Sequence, residues 1–434
     1  MNRRMTVATR GLAIAAALSL GLTACSTTSD DDSSGDEASG GSSSSADDGL
    51  VVGTLLPLTG TLAYLGPPEV AGVGLAVDEI NKAGGVLGKD VTIEGADSGD
   101  STDMNVSTQS TTDLLKRKSD VIIGAASSSV SINVVDQIAG ADVMQISPAN
   151  TSTTLSGYSP FYARTAPPDS VQGNALGSLI LDSGATKVGM LVQNEDYGTG
   201  LRDNVQKTIE AGGGQVVYGA TDAGQEFQPG ESNFSAQVTD LLAQKPDAIA
   251  VIAFDETKAI ITELVAQGWK MDGTTFFCDG NTASYEKDFD PGTLKGVVGT
   301  IPGAEAQGDF KDRLNTYSKD NNGGELTSYA YGPESYDATI LAALAAVRGG
   351  AADGKTISEN IKSVSGADGG TEVKTFEEGV KALKAGDDIH YVGVAGTGPL
   401  NEDNDPSSAF IGVYDYDGKN VQQFTRSVEG KIGG

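Results

Sequence analysis

Apolar runs and helix-like stripes alternate along most of the chain. Residues 50–56 form a nearly unbroken apolar run, which is typical of a strand buried on both faces of a parallel sheet. After a loop that contains Pro and Gly, apolar side chains recur at intervals of three and four residues, as on one face of a helix. They are Val70, Val73, Val77 and Ile80. A strand followed by a helix predicts an α/β unit.

Two series of predicted elements share this order. The first continues with a strand at 120–124, a helix at 130–139 and a strand at 143–146. The second has strands at 187–192, 248–252 and 274–277, with one helix that ends at 212–214 and another at 260–265. We therefore predict an α/β fold with two doubly wound, parallel-sheet lobes.

The sequence also predicts three hinge crossings between the lobes. The first is the segment 164–169, because Pro167 and Pro168 favour extended backbone. Two more are expected near 299–304 and 395–399, since short strand-like segments return at 390–393 and 409–416. The expected lobes are residues 49–166 with 304–395, and residues 167–303 with 396–434. About 385 residues suit two cores better than one.

The first residues have the layout of an export signal. Arg3, Arg4 and Arg10 precede an apolar run at 11–20, which is too short to persist as a membrane-spanning helix. The small residues before Cys25 are similar to a bacterial lipoprotein cleavage box. We expect residues 1–25 to be a lipoprotein signal and Cys25 to carry the lipid. The alternative is an ordinary signal peptide with a chance cysteine.

Residues 26–48 consist almost entirely of Ser, Thr, Asp, Glu, Gly and Ala. This composition cannot bury a core, and it predicts a disordered tether. With the expected anchor at Cys25, it would hold a globular part above a membrane. We therefore predict that the protein is extracytoplasmic and is anchored to the cell membrane by a lipid.

Composition excludes several classes of protein. The chain has 29 Lys and Arg against 59 Asp and Glu, so nucleic acid is not an expected partner. No catalytic set is visible, because Cys278 and the single histidine, His390, lie far apart in the sequence. The acidic segment 401–405 lacks the glycine and the final glutamate of a calcium loop, and is predicted to be a solvated turn. We expect no enzyme, no metal and no cofactor.

The ends of the predicted strands are where a ligand is expected. Residues 125–127 and 253–255 each follow a buried strand and each open into a helix. Ligands of open parallel sheets bind beyond the carboxyl ends of the strands, so two such lobes facing one another would form a cleft lined by these turns.

Several short motifs, in this order and spacing, resemble the leucine/isoleucine/valine-binding family of periplasmic receptors from residue 50 to about 428. They are Leu-Thr-Gly at 58–60 with Gly66, Asp-Glu-Ile-Asn at 78–81 before Gly84 and Gly85, the serines 127–129, Ile-Ser-Pro-Ala-Asn-Thr at 146–151, Asp-Tyr-Gly at 196–198, and Asp-Gly at 279–280. The resemblance implies the type I binding-protein fold and a small amino-acid ligand.

The resemblance also implies roles for individual residues. The ligand carboxylate would be held by Ser127 or Ser128, the backbone near Ala149, and Thr151, while Asp279 would hold the ammonium group. Tyr197 would close over the ligand. The side-chain pocket would involve Tyr64 or Leu65, and Phe254 or Asp255. Purely structural roles are the alternative. Ser127 can cap a helix, and Asp279 can belong to an Asp-Gly turn, without contact to a ligand.

The resemblance implies a monomeric receptor that delivers its ligand to an ABC permease and the ATPase of that permease. The alternative is a sensor of the same fold that binds an amide or another small solute and signals to a regulatory partner. The residues near Leu65 and Phe254 leave the identity of the ligand side chain open.

Overall fold

A computed structural model describes residues 49–303, 306, 308–321 and 323–431, and strands and helices alternate in these ranges as predicted. The strands are β1 Val51–Leu56, β2 Thr92–Asp97, β3 Val121–Gly124, β4 Met144–Ser147, β5 Tyr162–Arg164, β6 Lys187–Val192, β7 Gln215–Tyr218, β8 Ala248–Ile252, β9 Thr275–Phe277, β10 Val298–Pro302, β11 Thr371–Val373, β12 Ile389–Tyr391, β13 Ser408–Tyr416 and β14 Gln422–Lys431.

The helices connect these strands and cover the sheets. They are α1 Gly66–Lys82, α2 Met104–Lys116, α3 Ser128–Ala139, α4 Asp169–Asp182, α5 Asp196–Ala211, α6 Ser235–Ala243, α7 Thr257–Ala266, α8 Asp309–Asp320, α9 Gly332–Gly349, α10 Gly354–Val364 and α11 Phe376–Ala385. Within the described residues, no helix is both long enough and apolar enough to cross a membrane.

The first lobe is built on a parallel sheet with the strand order β2-β1-β3-β4-β5. Its core joins the buried strands to α1 and α9. These two helices approach closely at Gly72. A Cβ atom on this residue would lie 2.3 Å from the carbonyl oxygen of Gly332, so only glycine fits here. The predicted stripe of α1 is right at Val73, Val77 and Ile80 but wrong at Val70, which is 41% exposed.

The second lobe contains a sheet with the order β14-β13-β10-β9-β8-β6-β7. The strands from β10 to β7 are parallel, whereas β13 is antiparallel to β10 and β14 is antiparallel to β13. This sheet is therefore mixed rather than purely parallel. The sequence analysis did not anticipate β14, whose alternating polar side chains suit an exposed edge.

The chain passes between the lobes three times within the described ranges. It leaves the first lobe after β5, returns between β10 and α8, and leaves again between β12 and β13. The strand expected at 390–393 corresponds to β12, which pairs with β11 in a small sheet of its own. We call the segment 392–407 the third crossing.

The acidic segment 401–405 forms the turn that its composition predicts, with Glu402 and Asp403 exposed, but its last residue departs from the prediction. Asp405 is 2% exposed and forms an ion pair with Arg164, which is itself fully buried. The sequence could not reveal this pairing, because the two residues are brought together by the third crossing. The predicted signal, tether and lipidated Cys25 lie outside the described residues.

Candidate functional site

A small cavity lies between the lobes at the carboxyl ends of the parallel strands. Its internal volume is about 20 Å³, and it is lined by Leu62, Leu65, Ala126, Ser127, Ser128, Ala149, Thr151, Tyr197, Phe254, Asp279, Gly280 and Tyr331. Each of these residues is buried, so the cleft is closed around the cavity. Its lining combines apolar side chains with a few convergent polar groups, which is typical of small-molecule sites.

The first-lobe wall begins where β3 ends and α3 starts. Ser127 is the N-cap of α3, and its hydroxyl accepts a hydrogen bond from the backbone N–H of Val130. The hydroxyl of Ser128 accepts from the backbone N–H groups of Thr151 and Ser152, at 3.3 and 3.2 Å. The predicted capping role of Ser127 is therefore present, and it leaves the side chain on the cavity wall.

Two polar side chains tie the loop after β4 to this helix start. Ser147 donates to the carbonyl oxygen of Ala125 at 2.7 Å and accepts from the backbone N–H of Asn150. The amide of Asn150 donates to the carbonyl oxygens of Ala125 and Ala126, at 3.0 and 2.8 Å. The two loops thus form one hydrogen-bonded wall, which is fixed before a ligand arrives.

Thr151 is a further polar residue on this wall. It is 1% exposed, and its hydroxyl lies beside the buried Asp169 carboxyl without a hydrogen bond of standard geometry within the described residues. An unsatisfied buried hydroxyl is unfavourable by about 1–3 kcal/mol. A ligand acceptor in the cavity would relieve that cost.

Asp279 provides the charge on the opposite wall. Its Oδ1 accepts a hydrogen bond of 2.6 Å from the hydroxyl of Tyr197, and its Oδ2 accepts one of 2.5 Å from the hydroxyl of Tyr331. Burial raises the pKa of the Asp279 carboxyl above its ordinary value, while these two hydroxyl groups lower it. A cationic group in the cavity would stabilise the carboxylate further.

Apolar side chains complete the lining. Phe254 stacks on Tyr197, with ring centroids 5.4 Å apart and planes inclined by 12°. Leu62 and Leu65 contribute from the loop before α1 and are each 3% exposed. This part of the cavity suits a hydrocarbon side chain.

Eight of the ten ligand contacts expected from the sequence line this cavity; Tyr64 and Asp255 do not. The hydroxyl of Tyr64 instead donates across the cleft to the carbonyl oxygen of Gly280 at 2.8 Å. Asp255 lies at the surface and pairs with Lys258 at 2.6 Å, with 51% of its side chain exposed. Contact with a ligand stays a prediction for all ten.

The sequence analysis missed Leu62, Ala126, Gly280 and Tyr331. The first three lie within three positions of residues that it named, so a closer look at the same motifs could have found them. Tyr331 carries no such signal. It precedes α9 in the left-handed backbone conformation, with φ of 58°, and lies 52 positions from Asp279.

Cys278 precedes Asp279 in the sequence but is not among the residues that line the cavity. Burial strongly raises the pKa of the Cys278 thiol, so the thiol stays protonated and unreactive. Among the residues described, no group of three or more His, Cys, Asp or Glu side chains is arranged to hold a metal ion.

The sequence profile of the periplasmic binding protein family matches residues 49–399. The chain is 31% identical over 202 residues to the Leu/Ile/Val-binding protein BraC3 of Rhizobium johnstonii, covering 46% of this chain and 53% of that relative. It is 26% identical over 375 residues to the chemotactic signal transduction system substrate-binding protein BasB of Halobacterium salinarum, covering 83% of this chain and 86% of the relative. The match thus spans about half of the first relative and most of the second.

Solved structures share the fold. The leucine binding protein LivK of Thermotoga maritima superposes with a TM-score of 0.70 at 20% identity, over 87% of this chain and 98% of that one. At this level of identity the likeness concerns the fold, and the cavity of this chain has to be interpreted from its own residues.

Proposed function

This chain belongs to the periplasmic binding protein family, whose members are solute receptors rather than enzymes, and we propose that it is the extracytoplasmic receptor of an ABC importer. Its ligand is a small amino acid, branched-chain or closely related, held between the closed lobes. Ligand contacts on both lobes stabilise the closed form, because they are complete only there.

The opposed polarity of the cavity walls is the observation that carries this proposal. Asp279 is the one carboxylate among the lining residues, and it faces the side of the cavity that is built from Ser127, Ser128 and Thr151. A zwitterion matches both walls, with its ammonium group on Asp279 and its carboxylate on the neutral donors. Hydroxyl and backbone donors at the start of α3 favour an anion without any arginine.

The apolar remainder of the cavity favours a short hydrocarbon side chain. Leu62, Leu65 and Phe254 offer it no hydrogen bonds, and a polar side chain there would lose its water without compensation. The relative in Rhizobium, named for leucine, isoleucine and valine, supports the same class of ligand.

Calorimetric titration of the purified protein, refolded from denaturant to remove any retained ligand, tests the ligand class. The panel contains L-leucine, L-isoleucine, L-valine, L-alanine and L-threonine, with leucinamide and isocaproate as analogues that lack the carboxylate or the ammonium group. We expect L-leucine or a close relative to bind and both analogues to fail. Binding of leucinamide alone would favour the alternative ligand class, an amide.

Asp279→Asn and Asp255→Asn form a matched pair for the ammonium site. Both remove one carboxylate near the same strand ends, but only Asp279 lines the cavity. Loss of the buried charge partner should weaken amino-acid binding by about 2–5 kcal/mol, and Asp255→Asn should have a much smaller effect because its side chain lies outside the cavity. Equal effects of the two substitutions would contradict the proposed site.

Sensing is the second candidate role, and the relative in Halobacterium supports it, because that protein is named as part of a chemotactic signal transduction system. Deletion of the gene from its host separates the two roles. Loss of uptake of radiolabelled ligand with intact taxis supports import, whereas loss of taxis with intact uptake supports sensing.

We propose in addition that Cys25 is lipidated and anchors the receptor to a membrane. The residues before Cys25 and the acidic, Ser- and Gly-rich stretch after it support this step. Mass spectrometry of the mature N-terminal peptide should find Cys25 as its first residue, carrying a diacylglycerol. An unmodified or internal Cys25 would overturn the anchor.

A further inference from the structure

A direct contact joins the two lobes at the rim of the cleft. The hydroxyl of Ser129, in the first turn of α3, donates to Oδ2 of Asp196 at 2.9 Å and accepts from the backbone N–H of Asp196 at 3.1 Å. Asp196 begins α5, which packs on the sheet of the second lobe. Neither residue lines the ligand cavity. Because the contact spans the two lobes, opening of the cleft would break it.

Glu195 lies beside this contact and is buried without hydrogen-bond partners of standard geometry. It is 8% exposed, and neither of its carboxyl oxygens is satisfied. The hydroxyl groups of Ser129 and Ser101, both on the first lobe, lie next to it. A Cβ atom on Gly230 of the second lobe would lie 3.4 Å from Cγ2 of Thr102, so the first-lobe loop at 101–102 covers this region. Glu195 is thus buried between residues of the two lobes.

The ionisable groups around Glu195 disfavour its charge. The charged neighbours that act on it are carboxyls: Asp196 of its own helix, Glu256 before α7, and Asp169 at the start of α4. Burial raises the pKa of Glu195 to about 8, and the two serine hydroxyls only partly offset this effect. Burial and the neighbouring carboxyls thus favour the protonated form of Glu195 when the lobes are closed.

We propose that Ser129, Asp196 and Glu195 form a latch between the lobes that sets ligand affinity without touching the ligand, and that closing this latch takes up a proton from solvent. The inference rests on the proposed receptor function, because it concerns the closure that traps the ligand. The three side chains are positioning residues, since they act on the ligand through the position of the lobes.

The direction of the pH dependence follows from the burial. In the open form Glu195 faces water and is ionised at neutral pH, near the ordinary pKa of 4.5, whereas the closed form has a pKa of about 8. Between these two values closure binds a proton, so affinity rises as the pH falls. The dissociation constant should increase roughly twentyfold between pH 6.5 and pH 8.5 if closure is fully coupled to this group.

Titration calorimetry with L-leucine, in two buffers of different ionisation enthalpy, measures the protons taken up per ligand. At pH 7 the wild-type protein should take up about one proton through Glu195. Glu195→Gln should remove that uptake and flatten the pH profile of affinity, and Glu210→Gln, an exposed acid on the same helix, should change neither. Unchanged proton uptake on ligand binding in Glu195→Gln would overturn the proposal. In that case, the same measurement on Asp169→Asn shows whether the neighbouring acid takes up the proton.

Ser129→Ala tests the remote effect on affinity. It should weaken L-leucine, L-isoleucine and L-valine by one common factor, about three- to tenfold, because it removes a lobe contact and no ligand contact. A change in the ratio of the three affinities, or no change at all, would contradict the latch.

A measurement without ligand separates failure of the latch from failure of the proposed function. Fluorescent labels on the two lobes report closure of the full chain by energy transfer. The ligand-free wild type should shift towards the closed form from pH 8.5 to pH 6.5, and Glu195→Gln should not. The same response in both proteins overturns the latch, while absence of L-leucine binding with a normal pH shift overturns only the ligand class.

Discussion

Arg164 and Asp405 form a buried, two-point ion pair. The guanidinium Nε donates to Oδ1 at 2.6 Å and Nη2 donates to Oδ2 at 3.0 Å, although the residues are 241 positions apart. Arg164 ends β5, and Asp405 lies in the third crossing. The same guanidinium donates to the carbonyl oxygen of Ser152 at 2.8 Å, so the pair links two crossings to the loop that carries Thr151.

Arg164→Met should lower the free energy of unfolding by about 3–5 kcal/mol, because it leaves the Asp405 carboxylate buried and uncompensated. Urea denaturation measures the change. Arg117→Met, which breaks an exposed ion pair with Glu94, is the control and should stay within about 1 kcal/mol of wild type.

The combined replacement of Arg164 by Met and Asp405 by Leu should recover part of this loss, because no unpaired charge then remains in the interior. Equal losses in the single and the double variants would mean that the pair does not couple the two crossings.

Tyr331→Phe should weaken amino-acid binding by about 1.5–3 kcal/mol. The substitution removes one of the two hydroxyl groups that hold the Asp279 carboxylate in place. Tyr64→Phe removes a hydroxyl that donates to a neutral carbonyl, so its effect should be smaller, about 0.5–1.5 kcal/mol. Calorimetry compares the two variants, and a larger effect at Tyr64 would contradict this assignment.

Thr151→Val should separate stability from binding. The hydroxyl of Thr151 makes no hydrogen bond of standard geometry within the described residues and lies beside the buried Asp169 carboxyl, so its removal should change the melting temperature little. Amino-acid binding should weaken, while Thr151→Ser should retain it. Destabilisation of the ligand-free protein by Thr151→Val would show instead that the hydroxyl has a structural role.

Asp337 should make part of the stability depend on pH. Burial raises the pKa of this carboxyl from 3.8 to about 6 in the folded protein. Because the folded pKa is the higher one, the folded form binds the proton more tightly, and stability falls as the pH rises from about 4 to about 6. When the pH is lowered from 7 to 4, the free energy of unfolding of the wild type should therefore rise by on the order of 3 kcal/mol relative to that of Asp337→Asn. Chemical denaturation at several pH values measures this, and a constant difference would refute it.

The amino-acid sequence by itself determined the local elements and the fold class. Apolar runs of strands, apolar faces of helices and glycines that end helices are patterns of residues within about 20 positions of one another. The pattern of residues 50–80 was therefore sufficient to predict β1 and α1. The strand-end motifs around Ser127, Ala149 and Asp279 were visible for the same reason. Each lies directly after an apolar strand, and parallel strands present their carboxyl ends at one edge.

The tertiary structure decided which residues from distant parts of the chain are in contact. Tyr331 reaches Asp279, Asp405 reaches Arg164, and Ser129 meets Asp196, although no local pattern connects the members of any pair. The antiparallel β14 was likewise decided by pairing with β13, since its polar alternation does not identify a partner strand. Local sequence constrains backbone geometry over short distances, whereas these contacts and the burial of Glu195 arise only after the crossings bring the two lobes together.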